Sequence, residues 1–326
     1  MLVPIMSTNK KVNLLYCFDD RYWKMAAVSI YSALKNRNSD TIIDVYCMVA
    51  PHTGGRRKLR QIFKSHPNCR LIWRVIRRSE NPFSSYAYKY WSPVIFYRLF
   101  SQLIFPHLDK FLYLDSDTLV QTDILDVYNT DISEYACAGV HDVAPDHLEN
   151  DPNGKILREF KEKHLKSKLY INSGVLLLNL GYLRETMNEL LSVDIPLRYP
   201  DQDLLNVAWD GKIRELAWWN NCVPMMLRYP RTSIDKHGNP VTADKIPTEL
   251  IDIVHFYAMK PYYYNHVPLQ VYTLFYKYTT EIGLHPQDFI KTDKKYYIRR
   301  LKQNKTGIPL VRIGGDRRIH FLWWTI

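Results

Sequence analysis

An α/β fold, with a parallel sheet covered by helices on both faces, is what the sequence predicts. Three features near its start carry that expectation. The run Val12–Phe18 (VNLLYCF) is short and almost continuously apolar, as in a strand buried on both faces. Residues 22–36 then show helical spacing, with Ala26, Ala27, Ile30 and Leu34 along one side. The pattern repeats, with Ile42–Ala50 reading as a second strand, 55–65 as a helix and Arg70–Ile76 as a third strand. Strand, helix, strand, helix, strand is the order of a nucleotide-binding half-domain.

The remaining elements follow in turn. Residues 79–92 are polar and aromatic without a clear period and read as a loop. Ile95, Leu99, Leu103 and Ile104 give 93–105 helical spacing, with Arg98 among them. Phe111–Leu114 is a strand that ends in Asp115-Ser116-Asp117, and Ala136–Val140 one that ends in His141-Asp142. The charged stretch 143–168 reads as a loop followed by a helix. Leu169–Leu180 (LYINSGVLLLNL) is a strong strand signal, 181–194 and 202–209 read as helices, and Leu250–Phe256 as a last strand. Composition shifts near residue 285, so one domain is expected over 1–285 and an extension over 286–326.

The 326 residues are 46% hydrophobic, with only 12 Gly and 18 Pro, so a core can offset the entropy of ordering the chain. Disordered, collagen-like and low-complexity classes are excluded. No apolar run reaches the roughly 18 residues of a membrane-spanning helix. At the start the charges follow a short apolar stretch, the reverse of a secretory leader, so a cytoplasmic location is expected. The five cysteines are odd in number and form no CxxC, which reads as reduced, buried thiols.

Lys and Arg total 44 against 33 acids, a net charge of +11. Residues 291–326 hold ten of the basic residues and two acids, with His320-Phe321-Leu322-Trp323-Trp324 near their end. Basic residues mixed with interfacial aromatics fit an anionic membrane surface, at on the order of 1 kcal/mol per Lys or Arg. Peripheral association with the cytoplasmic face of the inner membrane is the resulting expectation, although a merely solvated tail has the same composition. Phosphate backbones attract the same charges. The chain shows no zinc finger, RNP-type aromatic motif or KH loop, so nucleic acid is not the expected partner.

Asp115 and Asp117 stand two apart at the end of a buried strand, which sends their side chains to one side. Two close carboxylates repel, and desolvation worsens the conflict. A hard divalent cation, Mg²⁺ or Mn²⁺, removes it and commonly bridges substrate phosphates. Two enzymes use such a pair: a metal-dependent glycosyltransferase, and a phosphohydrolase of the haloacid dehalogenase type. The second requires a later acidic pair, for which Gly315-Asp316 is the nearest candidate, and its first motif usually opens the fold, whereas here three strands come first. A non-catalytic UDP- or glycan-binding protein is a further alternative.

With these residues in place, the chain resembles glycosyltransferase family 8 over roughly residues 12–262, through several motifs in family order. Cys17-Phe18-Asp19-Asp20-Arg21-Tyr22 resembles the first-strand segment that grips uracil and ribose, and Tyr97-Arg98-Leu99 the helix whose Arg meets the donor sugar and diphosphate. Asp115-Ser116-Asp117 matches the metal motif, and His141-Asp142 matches the acid facing the donor sugar. Asn172-Ser173-Gly174-Val175 resembles the donor-binding Asn-x-Gly-Val strand. Asp201-Gln202-Asp203 matches a motif whose Gln lies by the anomeric carbon. His255-Phe256-Tyr257-Ala258-Met259-Lys260-Pro261 resembles the late motif that supplies a metal-binding His and a phosphate-binding Lys. It departs from the pattern in carrying Ala258 where a Gly is usual and in a His-to-Lys spacing one residue short.

The resemblance implies a GT-A type nucleotide-sugar-binding domain with a mixed, mainly parallel sheet. It implies Asp115, Asp117 and His255 as ligands to Mn²⁺ or Mg²⁺. Donor contacts would come from Cys17, Asp19, Tyr22, Arg98, Asp115, Ser116, Asn172, Ser173 and Lys260. Asp142, Asp201 and Gln202 would form the catalytic set. The implied reaction moves galactose or glucose from a UDP-hexose, with retention, to a saccharide or glycolipid acceptor, as in lipopolysaccharide synthesis. Gln202 is an amide and a poor nucleophile, which favours attack on the face that UDP leaves over the covalent route of a retaining glycosidase.

Overall fold

The computed structural model describes residues 10–64, 66, 69–85, 92–142, 152–223, 232–234, 240–242, 248–257, 260–261, 269–285, 288–289, 311–312 and 319–320. Most of the basic extension, with Asp316 and the two tryptophans near its end, lies outside the described residues.

The first five elements are β1 (Lys11–Phe18), α1 (Trp23–Asn36), β2 (Ile42–Val49), α2 (Arg56–Phe63) and β3 (Cys69–Val75). They are close to the sequence expectation because each is a local pattern. A 3-10 helix over Pro93–Phe100 leads into the short α3 (Ser101–Ile104), where helical spacing predicts one continuous helix. After it come β4 (Lys110–Leu114), β5 (Thr118–Val120), α4 (Leu125–Tyr128) and β6 (Cys137–His141). Then follow α5 (Pro152–His164), β7 (Ile171–Asn179), and α6 (Leu180–Glu185) with α7 (Met187–Leu191), two short helices in place of the single one expected. The chain continues through α8 (Pro200–Ala208), β8 (Ile213–Leu216), β9 (Thr232–Ile234), β10 (Pro240–Thr242), β11 (Ile253–His255) and α9 (Leu269–Glu281). Val311–Arg312 and Ile319–His320 form a small antiparallel pair.

Seven strands make one sheet in the order β3-β2-β1-β4-β7-β6-β8. It is mixed. β1 to β4 run parallel and β6 runs parallel to β8, whereas β7 is antiparallel to both β4 and β6. The parallel expectation therefore holds for the half built from β–α–β units and fails at β7. Helices cover both faces. Val12, Leu14, Tyr16 and Phe18 of β1 pack with α1, α2 and α9, while Leu15 and Cys17 face the 3-10 helix and the Phe111–Tyr113 side. That alternation is the two-residue period of a strand buried on both sides. Beyond position 285, Phe289 is buried in the first of these clusters and the Asp288 carbonyl accepts a hydrogen bond from Lys24 Nζ at 3.1 Å.

Candidate active site

The reversed strand gathers the site. Because β7 opposes β4, its first residues lie beside the end of β4, and the Asp115 N–H donates to the Gly174 carbonyl at 2.7 Å. Because β7 also opposes β6, the Asp142 N–H donates to the Tyr170 carbonyl at 2.8 Å. Segments near positions 115, 142 and 172 thus end at one point.

Asp115-Ser116-Asp117 occupies the turn between β4 and β5 rather than the strand itself. The turn is closed by the Thr118 hydroxyl, which donates to the Asp115 carbonyl at 2.9 Å. One residue on, β5 pairs antiparallel with β11, and His255 stands directly opposite Thr118. This small sheet, of which the sequence shows only the Leu250–Phe256 strand, is why His255 meets the two acids. Its Nε2 lies 3.5 Å from Asp115 Oδ2 and 3.5 Å from Asp117 Oδ1. One ligand atom from each of the three lies within 4.8 Å of the others.

Gly174 makes room for the ring. A Cβ at that position would stand 2.1 Å from His255 Cε1. The missing side chain is the seat of the imidazole. Gly174→Ala is therefore expected to displace His255 and lower stability by about 1–3 kcal/mol, read as a lower melting temperature together with shifted His255 ring resonances. Unshifted resonances would show that the ring does not need the space.

Two oxygen donors and an imidazole suit a divalent first-row cation. Burial works against ionising Asp117, but the Lys260 ammonium and hydrogen bonds from His255 hold its carboxyl well below the usual range. Burial likewise opposes ionisation of Asp115, and the Arg98 charge and His255 keep its carboxyl low. Burial disfavours a charge on His255, yet hydrogen bonds to the two carboxylates push it up to about 9. Two carboxylates thus stay ionised, with Lys260, Arg98 and the His255 proton as their counter-charges, and a cation bound to them would displace that proton. The Asp115 side chain keeps 26% of its exposure and gives the cluster its opening to solvent.

Arg98 is the brace of the next layer. Its side chain is 4% exposed and lies over the Tyr113 ring, 4.3 Å from the centroid. One guanidinium nitrogen donates to the Ser173 carbonyl at 2.6 Å and lies 3.2 Å from Asp115 Oδ1, while the other lies 3.3 Å from Asp201 Oδ2. Burial raises the Asp201 carboxyl above its ordinary value, with Arg98 opposing the rise.

α8 begins at Pro200, a residue suited to the first helical turn. Asp201 accepts from the Ser173 hydroxyl at 3.0 Å, and Gln202 Oε1 from the Ser173 N–H at 2.9 Å. Gln202 Nε2 donates to Asp142 Oδ2 at 3.0 Å, and Asn172 Nδ2 to the same oxygen at 3.3 Å. Asp203 turns away. It is fully buried and accepts from the Arg198 and Tyr199 N–H groups and the Tyr170 hydroxyl, so it stabilises the entry to α8.

Asn221 is the residue that sequence reasoning misses. It follows a 3-10 turn (Trp218–Asn220) and precedes Cys222, which bridges Val254 of β11. Asn221 Oδ1 lies 3.0 Å from His255 Nδ1, and its Nδ2 donates to Asn172 Oδ1 at 2.9 Å. Asn172 Oδ1 also accepts from the Gly174 N–H at 3.0 Å. A continuous chain of hydrogen bonds therefore joins His255 through Asn221, Asn172 and Asp142 to Gln202. No local pattern in Trp-Trp-Asn-Asn-Cys signals this role.

The β1 end is organised separately. Asp19 is held by Arg21, whose N–H donates to Oδ1 at 3.0 Å and whose guanidinium lies 2.9 Å from Oδ2. The Tyr22 ring has Lys260 Nζ 5.5 Å from its centroid, which ties this segment to the acidic cluster, because Lys260 also pairs with Asp117. Cys17 is buried, and burial raises its thiol despite the nearby Arg98 charge. The Ser116 hydroxyl is buried, with no partner among the described residues.

The family model for glycosyl transferase family 8 matches residues 13–265, most of the chain. A lipopolysaccharide 1,2-glucosyltransferase of Escherichia coli is 26% identical over 267 residues, covering 79% of this chain and 75% of that protein. A Haemophilus influenzae protein described as a putative glycosyltransferase is 24% identical, and the match spans 63% of this chain and 62% of that one. Among solved structures, galactosyltransferase LgtC in complex with donor and acceptor sugar analogues superposes with a TM-score of 0.67 at 20% identity, over 86% of this chain and all of that one. The WbbM bifunctional glycosyltransferase gives 0.66 at 20% identity, over 89% of this chain but only 53% of that one. These likenesses show a GT-A type fold. With the family match spanning the sheet and every motif of the site, the chain belongs to glycosyltransferase family 8.

Proposed function

We propose that the protein is a retaining, divalent-cation-dependent hexosyltransferase. It takes galactose or glucose from a UDP-sugar and places it on a saccharide or glycolipid acceptor in lipopolysaccharide or another cell-surface glycan. The observation that carries this reading is the joining of two groups of residues. The Asp115–Asp117–His255 cluster is linked to Asp142, Asp201 and Gln202 by Arg98 on one side and by Asn221 on the other. The names of the lipopolysaccharide glucosyltransferase relative and of LgtC agree with a hexose and a glycan acceptor.

A cation held by Asp115, Asp117 and His255 supplies the positive charge that a departing diphosphate needs. The chain's own residues do the rest. Lys260, beside Asp117 and over Tyr22, adds a second positive charge where the nucleotide binds. Asp19, Tyr22 and Cys17 line the nucleoside end, and Ser116 offers the donor a hydroxyl. Asn172 and Ser173, fixed by Asp142, Gln202 and Asp201, orient the sugar. Asp142 and Asp201 accept sugar hydroxyls, and the Gln202 amide, held at both ends, lies by the anomeric carbon. An amide there leaves the acceptor hydroxyl as the nucleophile. The basic extension is read as a contact with an anionic membrane surface on its composition alone. The phosphohydrolase alternative falls with the family assignment.

A panel of UDP-sugars tests the reading: hydrolysis of UDP-galactose or UDP-glucose with Mn²⁺, lost in EDTA and releasing the α-sugar by NMR, is expected. Metal-independent hydrolysis, or release of the β-sugar, would refute it. Within this reading Asn221 sets the orientation of His255. Asn221→Ala should weaken Mn²⁺ binding by about 10–100-fold, the usual cost of losing such a support, and calorimetry on the unreacted protein reads this directly. Unchanged affinity would leave Asn221 a packing residue.

A further inference from the structure

The body carries a second concentration of positive charge, distinct from the tail. Residues 55–80 hold nine Lys or Arg and one acid, Glu80. Outside this segment and 291–326 the chain has 25 basic and 30 acidic residues, so the rest of the protein is net negative. The nine lie on adjoining elements at one edge of the sheet. α2 and the residue after it carry Arg56, Arg57, Lys58, Arg60 and Lys64, the edge strand β3 carries Arg70 and Arg74, and Arg77 and Arg78 follow it. All but Arg56 are exposed.

Some of this charge serves the fold. Arg70 pairs with the buried Asp44, and Arg74 with Glu80 at 2.6 Å. Charges on an edge strand also discourage pairing with a second sheet. Lys58 and Arg60 lie over Trp23 and Trp73, 5.7 and 5.8 Å from the ring centroids. Arg57, Lys64, Arg77 and Arg78 have no ion pair among the described residues. Self-repelling charge of this density is destabilising until a polyanion meets it.

We propose that the α2–β3 corner docks the protein on an anionic phospholipid surface. The corner's Arg56–Arg57 and Arg77–Arg78 end lies at the site's end of the strands, with Lys64 and Arg70 at the other end of α2. α2 starts just after the carboxyl end of β2, and Arg77 and Arg78 follow the carboxyl end of β3, in the parallel set whose other carboxyl ends carry Asp19 and Asp115. A charged plane touching the corner stands beside the site, where a headgroup-borne acceptor is presented. That choice of polyanion rests on the acceptor reading above, but the binding measurement does not. Single-stranded nucleic acid needs open aromatic faces on which to stack. Here Trp23 is buried, and Trp73 is roofed by Arg60.

The full chain is tested by co-sedimentation with vesicles of phosphatidylcholine alone and of phosphatidylcholine with phosphatidylglycerol. Binding to the second only, weakened by salt, is expected. The variant Arg57→Gln/Lys64→Gln/Arg78→Gln, which touches neither tryptophan stack, should partition about 100-fold less at an unchanged melting temperature. Its UDP-sugar hydrolysis in solution should equal that of the parent chain. Loss of hydrolysis from both proteins would count against the enzymatic reading and leave the docking result standing. Three outcomes overturn the proposal: no binding to phosphatidylglycerol vesicles, undiminished binding of the triple variant while Lys294→Gln/Lys295→Gln/Arg299→Gln abolishes it, or tighter binding to duplex DNA than to the vesicles.

Discussion

Asp117→Asn is expected to leave a folded protein whose sugar transfer is slower by about 10³-fold, the scale on which removal of a preorganised electrostatic contact acts. The amide keeps the carboxylate's shape, and the backbone of Asp117, which accepts from the Phe256 N–H at 2.8 Å, is untouched. What is lost is the charge that faces His255 and Lys260. Lys260 keeps 21% of its side-chain exposure and returns to water, so the fold bears little of the cost. Mn²⁺ calorimetry should show binding lost, while circular dichroism and the melting curve stay near those of the parent. Asp115→Asn should act similarly on transfer. A variant at either position that turns over at the parental rate in EDTA would remove the metal from the mechanism.

Arg98→Met is expected to harm the fold most. It keeps the length of the side chain but deserts Asp115, Asp201 and the Ser173 carbonyl together. Removing one partner of a buried ionic network costs about 3–5 kcal/mol. For a chain of this size that corresponds to roughly 10 °C in melting temperature. The pH dependence identifies the cause. Asp201 is already raised by burial and rises further without Arg98, while Asp115, held low in part by that charge, climbs from its lowered value. An acid whose folded value lies above its unfolded value of about 3.8 binds more protons folded than unfolded, so it favours folding at low pH and loses that contribution as pH climbs through the raised value. The deficit of Arg98→Met should therefore be largest near neutrality and shrink under mildly acidic conditions. Denaturant titrations at the two pH values measure it, and a deficit independent of pH would mean that lost packing, not stranded charge, is responsible.

What the sequence reveals here is what short segments encode. The apolar runs of β1, β2 and β4 announce themselves because a strand buried on both faces needs no partner to be recognised. Asp115-Ser116-Asp117, Asn172-Ser173-Gly174 and Asp201-Gln202-Asp203 stand out because each interrupts or opens such a run with polar groups. The sequence is silent where geometry depends on distant pairing. β11 lies within the strand read at Leu250–Phe256, but β5 has three residues, too few for any period, and it is their pairing that brings His255 to the acids. β8 is missed because Ile213–Leu216 is short and carries two charges. Arg98 reads from sequence only as a ligand contact, and that it also braces Asp115, Asp201 and the Ser173 carbonyl needs the fold. The basic corner is hidden by averaging, since a nearly balanced total over 1–290 conceals nine cations opposite one acid.

Strand β7 bears on what can change in this enzyme. The ladder, and not the length of the connections, fixes where positions 115, 142 and 172 meet. Insertions between β6 and α5, or between β8 and β11, can accumulate without moving them, at a closure cost that grows only with the logarithm of length. A single residue added within β7 between Asn172 and Gly174 has no such freedom. It would turn those two to opposite sides of the sheet and part the imidazole's seat from the contact with Asp142. The loops can thus diversify, while β7 must keep its length and its Gly174.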